Sequence, residues 1–499
     1  MRRLAGYAAC VFLLCSCTVG PNYKRPAAPT PPAFKEQPPI NFKEAEAAGW
    51  KQSQPGDAFE KGKWWEVYQD PALNALEEQV SISNQNVLQA EAQYRQAKAG
   101  VRVARAALFP TITTGPSIAE SRSGASGVSS GASNSNTAIA AGSTRASFNL
   151  PFDVSWEPDI WGSIRRGVTA SVATAQSLDA LLENARLLYQ AELAQDYFAL
   201  HGSDGEADLL TRTVASYQQY LTLTRDRFAG GVASDLDVAQ AETQLYDAQS
   251  QLIDLGVARA QFEHAIAVLT GKAPAELTIP PAILTTLPPA VPVGLPSELL
   301  QRRPDIASAE RQVAAANEQI GIATAAFYPT LTVGASAGLE NSSLAKLFTW
   351  PSRFWSVGPQ LAETLFDAGR RRAVVAAQEA AYDATVASYR ETALTAMQQV
   401  EDELAALRVL EEEAAKVQQT VDSSGRALAV SSAQYRAGTT SFLTVITSQA
   451  AVLSSQRTAV TLLTRRLTAS VLLIEALGGG WNSSKLPTRQ DVTVQAKGH

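Results

Sequence analysis

Cysteine is nearly absent: the 499 residues hold three, Cys10, Cys15 and Cys17, all at the start of the chain. A mature chain beginning at Cys17 would carry a single thiol, which excludes an internal disulfide and a thiolate metal site. Histidine is as scarce, with His201, His264 and His499, and methionine occurs only as Met1 and Met397. The histidines read as surface or packed side chains, so no metal and no cofactor is expected, and a methionine-lined metal path has too little to be built from. No Gly-rich phosphate loop follows a strand and no nucleophile elbow is present, which leaves no reason to expect an enzyme. Charge of one sign is lacking too. The 42 Lys and Arg against 48 Asp and Glu give a net charge of -6, scattered along the chain, with no nucleic-acid footprint. Beyond the first 16 residues no run of about 18 apolar residues occurs, which excludes a transmembrane helix and leaves a transmembrane β-barrel open.

What is there begins with an export signal. Arg2 and Arg3 precede an apolar run from Leu4 to Leu14 that is too short to span a bilayer. Cys17 stands behind Leu14 at its third preceding position and Ser16 directly before it, the spacing of a bacterial lipoprotein cleavage site; Cys15 has the bulky Leu14 directly before it. A plain secretory signal with incidental cysteines is the alternative. Acyl chains on Cys17 would make a durable anchor, since each buried CH2 contributes about 0.8 kcal/mol. Thr18 follows, in place of the aspartate that typically retains lipoproteins at the inner membrane, and this favours outer-membrane sorting. Residues 1–16 are thus read as signal peptide and 17–63, rich in proline and polar residues, as a lipidated extended strap.

The body of the chain is one architecture written twice, at 64–290 and 291–481, before a flexible tail at 482–499. Ala107-Leu108-Phe109-Pro110-Thr111 recurs as Ala326-Phe327-Tyr328-Pro329-Thr330, offset by 219, and the segment from Arg227 to Leu236 recurs from Gln434 to Leu443, offset by 207. The natural place for the lost 12 is the Gly/Ser-rich loop from Ser123 to Asn136. Asp70-Pro71 opens a helical pattern that runs to about Leu108. Ala146, Phe148, Leu150, Phe152, Val154 and Trp156 then alternate with mostly polar residues, the period of a strand. The same reasoning gives strands at about 111–121, 145–157, 330–340 and 354–365. Gly162 to Ala229 and Gly369 to Ala437 contain no proline and read as helices of about 100 Å. A free-standing coiled coil would need a strict heptad, which does not persist. Four strands of this length suit a tilted crossing of an outer membrane but cannot close a barrel. Closure is mandatory in lipid, so three copies are expected to give 12 strands around a wet lumen; a soluble half-buried sheet is the alternative.

Several segments resemble one family. Cys17-Thr18-Val19-Gly20-Pro21-Asn22-Tyr23 looks like a mature start, and Leu299-Leu300-Gln301-Arg302-Arg303-Pro304-Asp305-Ile306 leads into Ala309-Glu310, Ala316-Asn317 and Ile320-Gly321. Leu365-Phe366-Asp367-Ala368-Gly369-Arg370-Arg371 and Leu477-Gly478-Gly479-Gly480-Trp481 complete the match. Together they resemble the outer membrane factor lipoproteins of tripartite efflux systems, the TolC and OprM-like, NodT-type group. The resemblance implies an α+β membrane protein: a homotrimeric 12-stranded outer-membrane β-barrel, four strands per chain, continued by a long periplasmic α-helical barrel. It implies a periplasmic adaptor and an inner-membrane pump, RND-type, as partners, with this chain as the passive gated duct for drugs or other small molecules. Metal-ion efflux, type I protein secretion and, outside the class, a periplasmic tether without transport are the alternatives.

The turns between long helices are where a gate would sit. Gly231 and Gly438 can end a helix in the left-handed conformation, and Ser234 and Ser441 stand where the next helix needs a cap. The resemblance places these turns at a periplasmic tip that narrows the duct and meets the adaptor. Asp235 and Asp237 could form rings of like charge under three-fold symmetry, or Asp237 could simply complete a capping box with Ser234. The second turn carries Leu443, Thr444 and Thr447 where the family usually has acids, which points to an apolar constriction at Leu443. Phe442 could face the lumen or the core. At the starts of the long helices, Arg165, Arg166, Arg370, Arg371 and Arg372 lie where the macrodipole disfavours cations. Lipid phosphates beside Trp156, Trp161, Trp355 and Phe366 are one compensation; a solvated basic turn is the other reading.

Overall fold

The computed structural model describes residues 18–36, 63–122, 144–291 and 296–493. Cys17 and the Ser123 to Asn136 loop lie outside the described residues. Asp70 caps the first long element, its Oδ1 accepting the Ala72 and Leu73 N–H groups at 2.9 and 3.2 Å. The helical pattern that runs to about Leu108 is two helices, α1 (Pro71–Ser83) and α2 (Gln85–Ala106). Asn84 breaks it: its backbone is extended, its Oδ1 accepts from Asn86 and Val87, and its Nδ2 donates to the Leu269 carbonyl. A short polar side chain here competes with the helix for its own backbone.

The strands are β1 (Thr111–Thr114), β2 (Ser117–Arg122), β3 (Thr144–Trp156), β4 (Thr330–Asn341) and β5 (Arg353–Ala362). All pairings are antiparallel, in the order β1-β3-β4-β5 with β2 also on β3. The single first strand expected over 111–121 is therefore split at Gly115-Pro116, where proline has no N–H for the ladder. Four rungs result.

Two helices of 67 residues follow the two halves of the sheet, α3 (Ser163–Ala229) and α6 (Arg370–Arg436). Each reverses into a helix of 35, α4 (Asp235–Leu269) and α7 (Phe442–Ala476), and α5 (Pro304–Ala325) matches the 22 residues of α2. α3 packs on α2, α4, α5 and α7, while α6 packs on α5 and α7. The main core lies about midway, where Trp64, Trp65, Tyr68 and Leu73 meet Phe198 and Leu200 of α3, Tyr389 and Leu404 of α6, and Leu467 and Ile474 of α7. Residues 482 to 493 are not a free tail. Asp491 accepts the Thr488 N–H and hydroxyl, Gln176 donates to the Pro487 carbonyl, and Val492 is buried with Val101, Val168 and Val172. The apolar Val492 draws the segment onto α2 and α3.

Candidate functional site

The sheet has two chemically different faces. On one, Ile112 lies opposite Val154, Val154 opposite Ala335 and Ala335 opposite Val357, with Phe152-Ala337-Trp355 and Leu331-Leu361 in neighbouring rows. On the other, Thr113-Asp153-Ser336-Ser356 and Ser155-Gly334-Gly358 form the rows. Among the described residues nothing covers the apolar face: Ile112, Ile118, Trp355, Val357 and Leu361 are 65% to 78% exposed. The outer edges of β1, β2 and β5 find no partner strand among the described residues. An apolar face with open edges is stable only in lipid and only once the edges pair, because each unsatisfied amide in hydrocarbon costs several kcal/mol.

Where sheet gives way to helix, the arginines part company. Asp159 accepts the N–H groups of Ile164 and Arg165 at 3.0 and 2.8 Å and the Arg165 Nε at 3.0 Å. Asp367 serves α6 in the same way, accepting from the Gly369 and Arg371 N–H groups and from Arg371 Nε at 2.6 Å. The Arg371 hydrogen bond holds the Asp367 carboxyl below the usual carboxylate range. These carboxylates supply the negative charge that a helix N-terminus favours. For Arg165 and Arg371, then, the compensation expected from lipid phosphates is provided within the chain.

Arg166 points the opposite way and is 4% exposed. Its Nη1 donates to Glu318 at 2.8 Å, its Nε to the Val19 carbonyl at 2.7 Å and its Nη2 to the Gly20 carbonyl at 3.1 Å. Gly321 has no room for a Cβ against this guanidinium. Val19 N–H donates to the Trp161 carbonyl, and further along the strap the Lys35 and Glu36 N–H groups donate to Glu401, with Arg408 on Glu36. The strap is therefore latched along α3, α5 and α6. Trp161 is half-buried: it stacks on Tyr328 at 4.7 Å and its Nε1 donates to the Pro329 carbonyl, so it helps pack the junction of sheet and helix. Trp156, Trp355, Phe366 and Arg370 are exposed.

At the opposite end the two reversals share one backbone solution. Gly231 and Gly438 have φ of 71° and 76°. Val232 N–H reaches the Arg227 carbonyl at 2.8 Å and Thr439 N–H the Gln434 carbonyl at 3.0 Å, the pattern of a left-handed helix cap. Ser234 caps α4 and Asp237 answers it, its Oδ2 accepting the Ser234 N–H at 2.9 Å: a full capping box. Ser441 makes no such cap. Its hydroxyl lies 3.4 Å from that of Thr444, which is too short to reach back as the Asp237 carboxylate does. Phe442 is core, packed on Tyr435 at 5.2 Å. Arg227 crosses between the hairpins, donating to the Tyr435 carbonyl at 2.6 Å with its guanidinium 4.5 Å over the Tyr435 ring. No repeat or motif marks this arginine in the sequence, since Gln434 stands at the matching position. Left facing outward at the tip are Leu443, Thr444, Thr447 and Asp235.

The chain matches the family described as "Outer membrane efflux protein" over residues 76–272 and 295–479. The chain belongs to the outer membrane efflux protein family. This efflux protein is 30% identical over 496 residues to "Probable efflux pump outer membrane protein TtgC" of Pseudomonas putida, covering 99% of each chain. To "Outer membrane protein OprJ" of Pseudomonas aeruginosa it is 29% identical over 472 residues, 94% of each. Its fold superposes on the outer-membrane channel OprN with a TM-score of 0.82 at 29% identity, covering 93% of this chain and 100% of that one. It is an outer-membrane component of an efflux system that extends into the periplasm.

Proposed function

We propose that three copies of this efflux protein close one 12-stranded barrel continued by a periplasmic tube of 12 helices, and that the assembly is a passive, gated exit duct for drugs or other small molecules. The two-faced sheet with both edges open carries the reading. The β5 edge of one copy meets the β1 and β2 edge of the next, the apolar rows face lipid, and the Thr113-Asp153-Ser336-Ser356 row lines the lumen. Trp355 then marks the outer membrane interface, and Trp156 lies nearer the inner one, with Arg370 beyond it. A periplasmic adaptor and an inner-membrane pump of the RND type deliver the cargo and supply the energy. Thr18 packs against Gly162 where α3 leaves the sheet, a position that suits a lipid on Cys17 at the periplasmic face.

At the tip, Leu443 forms the constriction, with Thr444 and Thr447 behind it and Asp235 as a ring of charge at the mouth. Asp237 is committed to capping. Native mass spectrometry in detergent is expected to show a trimer, and a stable monomer would sink the barrel. In planar bilayers, Leu443→Gly is expected to raise single-channel conductance several-fold. Unchanged conductance would move the constriction elsewhere.

A further inference from the structure

The far end of β5 carries a feature that channel formation does not require. Between Asn341 and Ala362 there is no Asp or Glu, yet Lys346 and Arg353 are both exposed. Residues 123–143 of the sequence hold no charged residue at all. Among the described residues neither cation has an ion-pair partner. Arg353 pairs with Leu339 in register, which puts it on the apolar face, in line with Trp355, Val357 and Leu361. Its guanidinium lies 3.7 Å over the Trp350 ring. Phe348 and Trp350 are each 75% exposed.

The turn presenting these groups is firmly built. Asn341 Nδ2 donates to Ser352 Oγ at 2.8 Å, the Thr349 and Ser352 hydroxyls both donate to the Lys346 carbonyl at 2.7 Å, and Leu347 and Ser352 are buried. The polar groups of the turn are thus satisfied internally. Its cations and aromatic rings face out.

We propose that Arg353, Trp350 and Lys346 form a docking site for the phosphorylated glycolipid of the outer leaflet, the lipid A portion of lipopolysaccharide. This rests on the membrane-crossing reading above, which puts the β4-β5 turn at the outer surface, opposite the periplasmic helices. An arginine held flat on an indole keeps its free N–H edge for a phosphate, in the fork geometry that suits two oxygens at once. Lys346 adds a second point charge. The exposed Phe348 and Trp350 rings lie where headgroup meets acyl chain, the level that amphipathic aromatics prefer. Continuity along β5 sets the depth: Arg353 at the phosphates, Trp355 at the interface, Val357 and Leu361 in hydrocarbon. The outer leaflet's anionic groups are glycolipid phosphates, so that lipid is the occupant the charge fits.

The test uses the full-length protein purified in mild detergent. Bisphosphorylated lipid A, its dephosphorylated form and phosphatidylglycerol are titrated separately, read by tryptophan fluorescence and by native mass spectrometry of retained lipid. Bilayer conductance is measured on the same preparations. Saturable lipid A binding is expected, weakened about tenfold by Arg353→Gln and again by Lys346→Gln, with conductance unchanged. Equal binding by the dephosphorylated form, by phosphatidylglycerol or by the Arg353→Gln variant overturns the site while the channel stands. A wild-type preparation that stays monomeric by native mass spectrometry overturns the membrane-crossing reading, and the lipid site with it.

Discussion

Replacing Arg166 by methionine is expected to cost the folded chain about 3–5 kcal/mol and to free the start of the strap. Arg166 is buried, and its partner Glu318 has a side chain only 10% exposed. Removing the arginine leaves that carboxylate as an uncompensated charge and strips donors from the Val19 and Gly20 carbonyls. Burial without a partner, more than loss of the attraction itself, is what makes the single change severe. Unfolding in detergent followed by circular dichroism would read the loss, and trypsin should cut faster after Lys24. The double change Arg166→Met with Glu318→Leu is expected to regain much of the stability, since both charges are gone, while the strap stays protease-sensitive. A single variant as stable and as protease-resistant as wild type would show that the latch carries nothing.

This latch was invisible in the sequence for a simple reason. Arg165 and Arg166 are neighbours and look alike, but successive helix residues point about 100° apart, so one meets Asp159 at the surface and the other is driven inward. The long helices and the strands were legible because the pattern changes from period 3.6 to period 2 and proline is missing from two long stretches. The stop at Asn84 was not, because its cause is a tertiary bond to Leu269. The motifs that carried the family resemblance had no stated reason until the structure supplied one. Gly321 makes room for Arg166, and Asn317 donates to the Pro21 carbonyl. Arg303, held by Asp305, reaches Gln399 of α6 and the Ala476 carbonyl at the end of α7. At the tip the first hairpin was half readable, as a capping box or a charge ring. The second was misread, because a serine in cap position caps only when its geometry allows.

Changing Glu77 to leucine is expected to stabilise the protein by about 1–3 kcal/mol at pH 7, the cost of a buried polar group without a partner. Glu77 is fully buried in α1, and neither carboxyl oxygen has a hydrogen-bond partner among the described residues. Burial pushes its carboxyl well above the usual range. The sign follows from linkage. With the folded group holding its proton more tightly than the unfolded one, its contribution is most favourable below the ordinary glutamate range and is lost as pH rises toward the folded value. Leucine removes both the desolvation and this slope. Glu403 and Glu475, each pushed up to about 7, chiefly by burial, act in the same direction, so a residual fall in stability through neutral pH should persist in the variant. Melting temperatures from pH 5 to 9 for wild type and Glu77→Leu would separate the two contributions. If the variant melts lower, or the two curves run parallel throughout, the Glu77 carboxyl is satisfied in the folded protein and the burial argument fails.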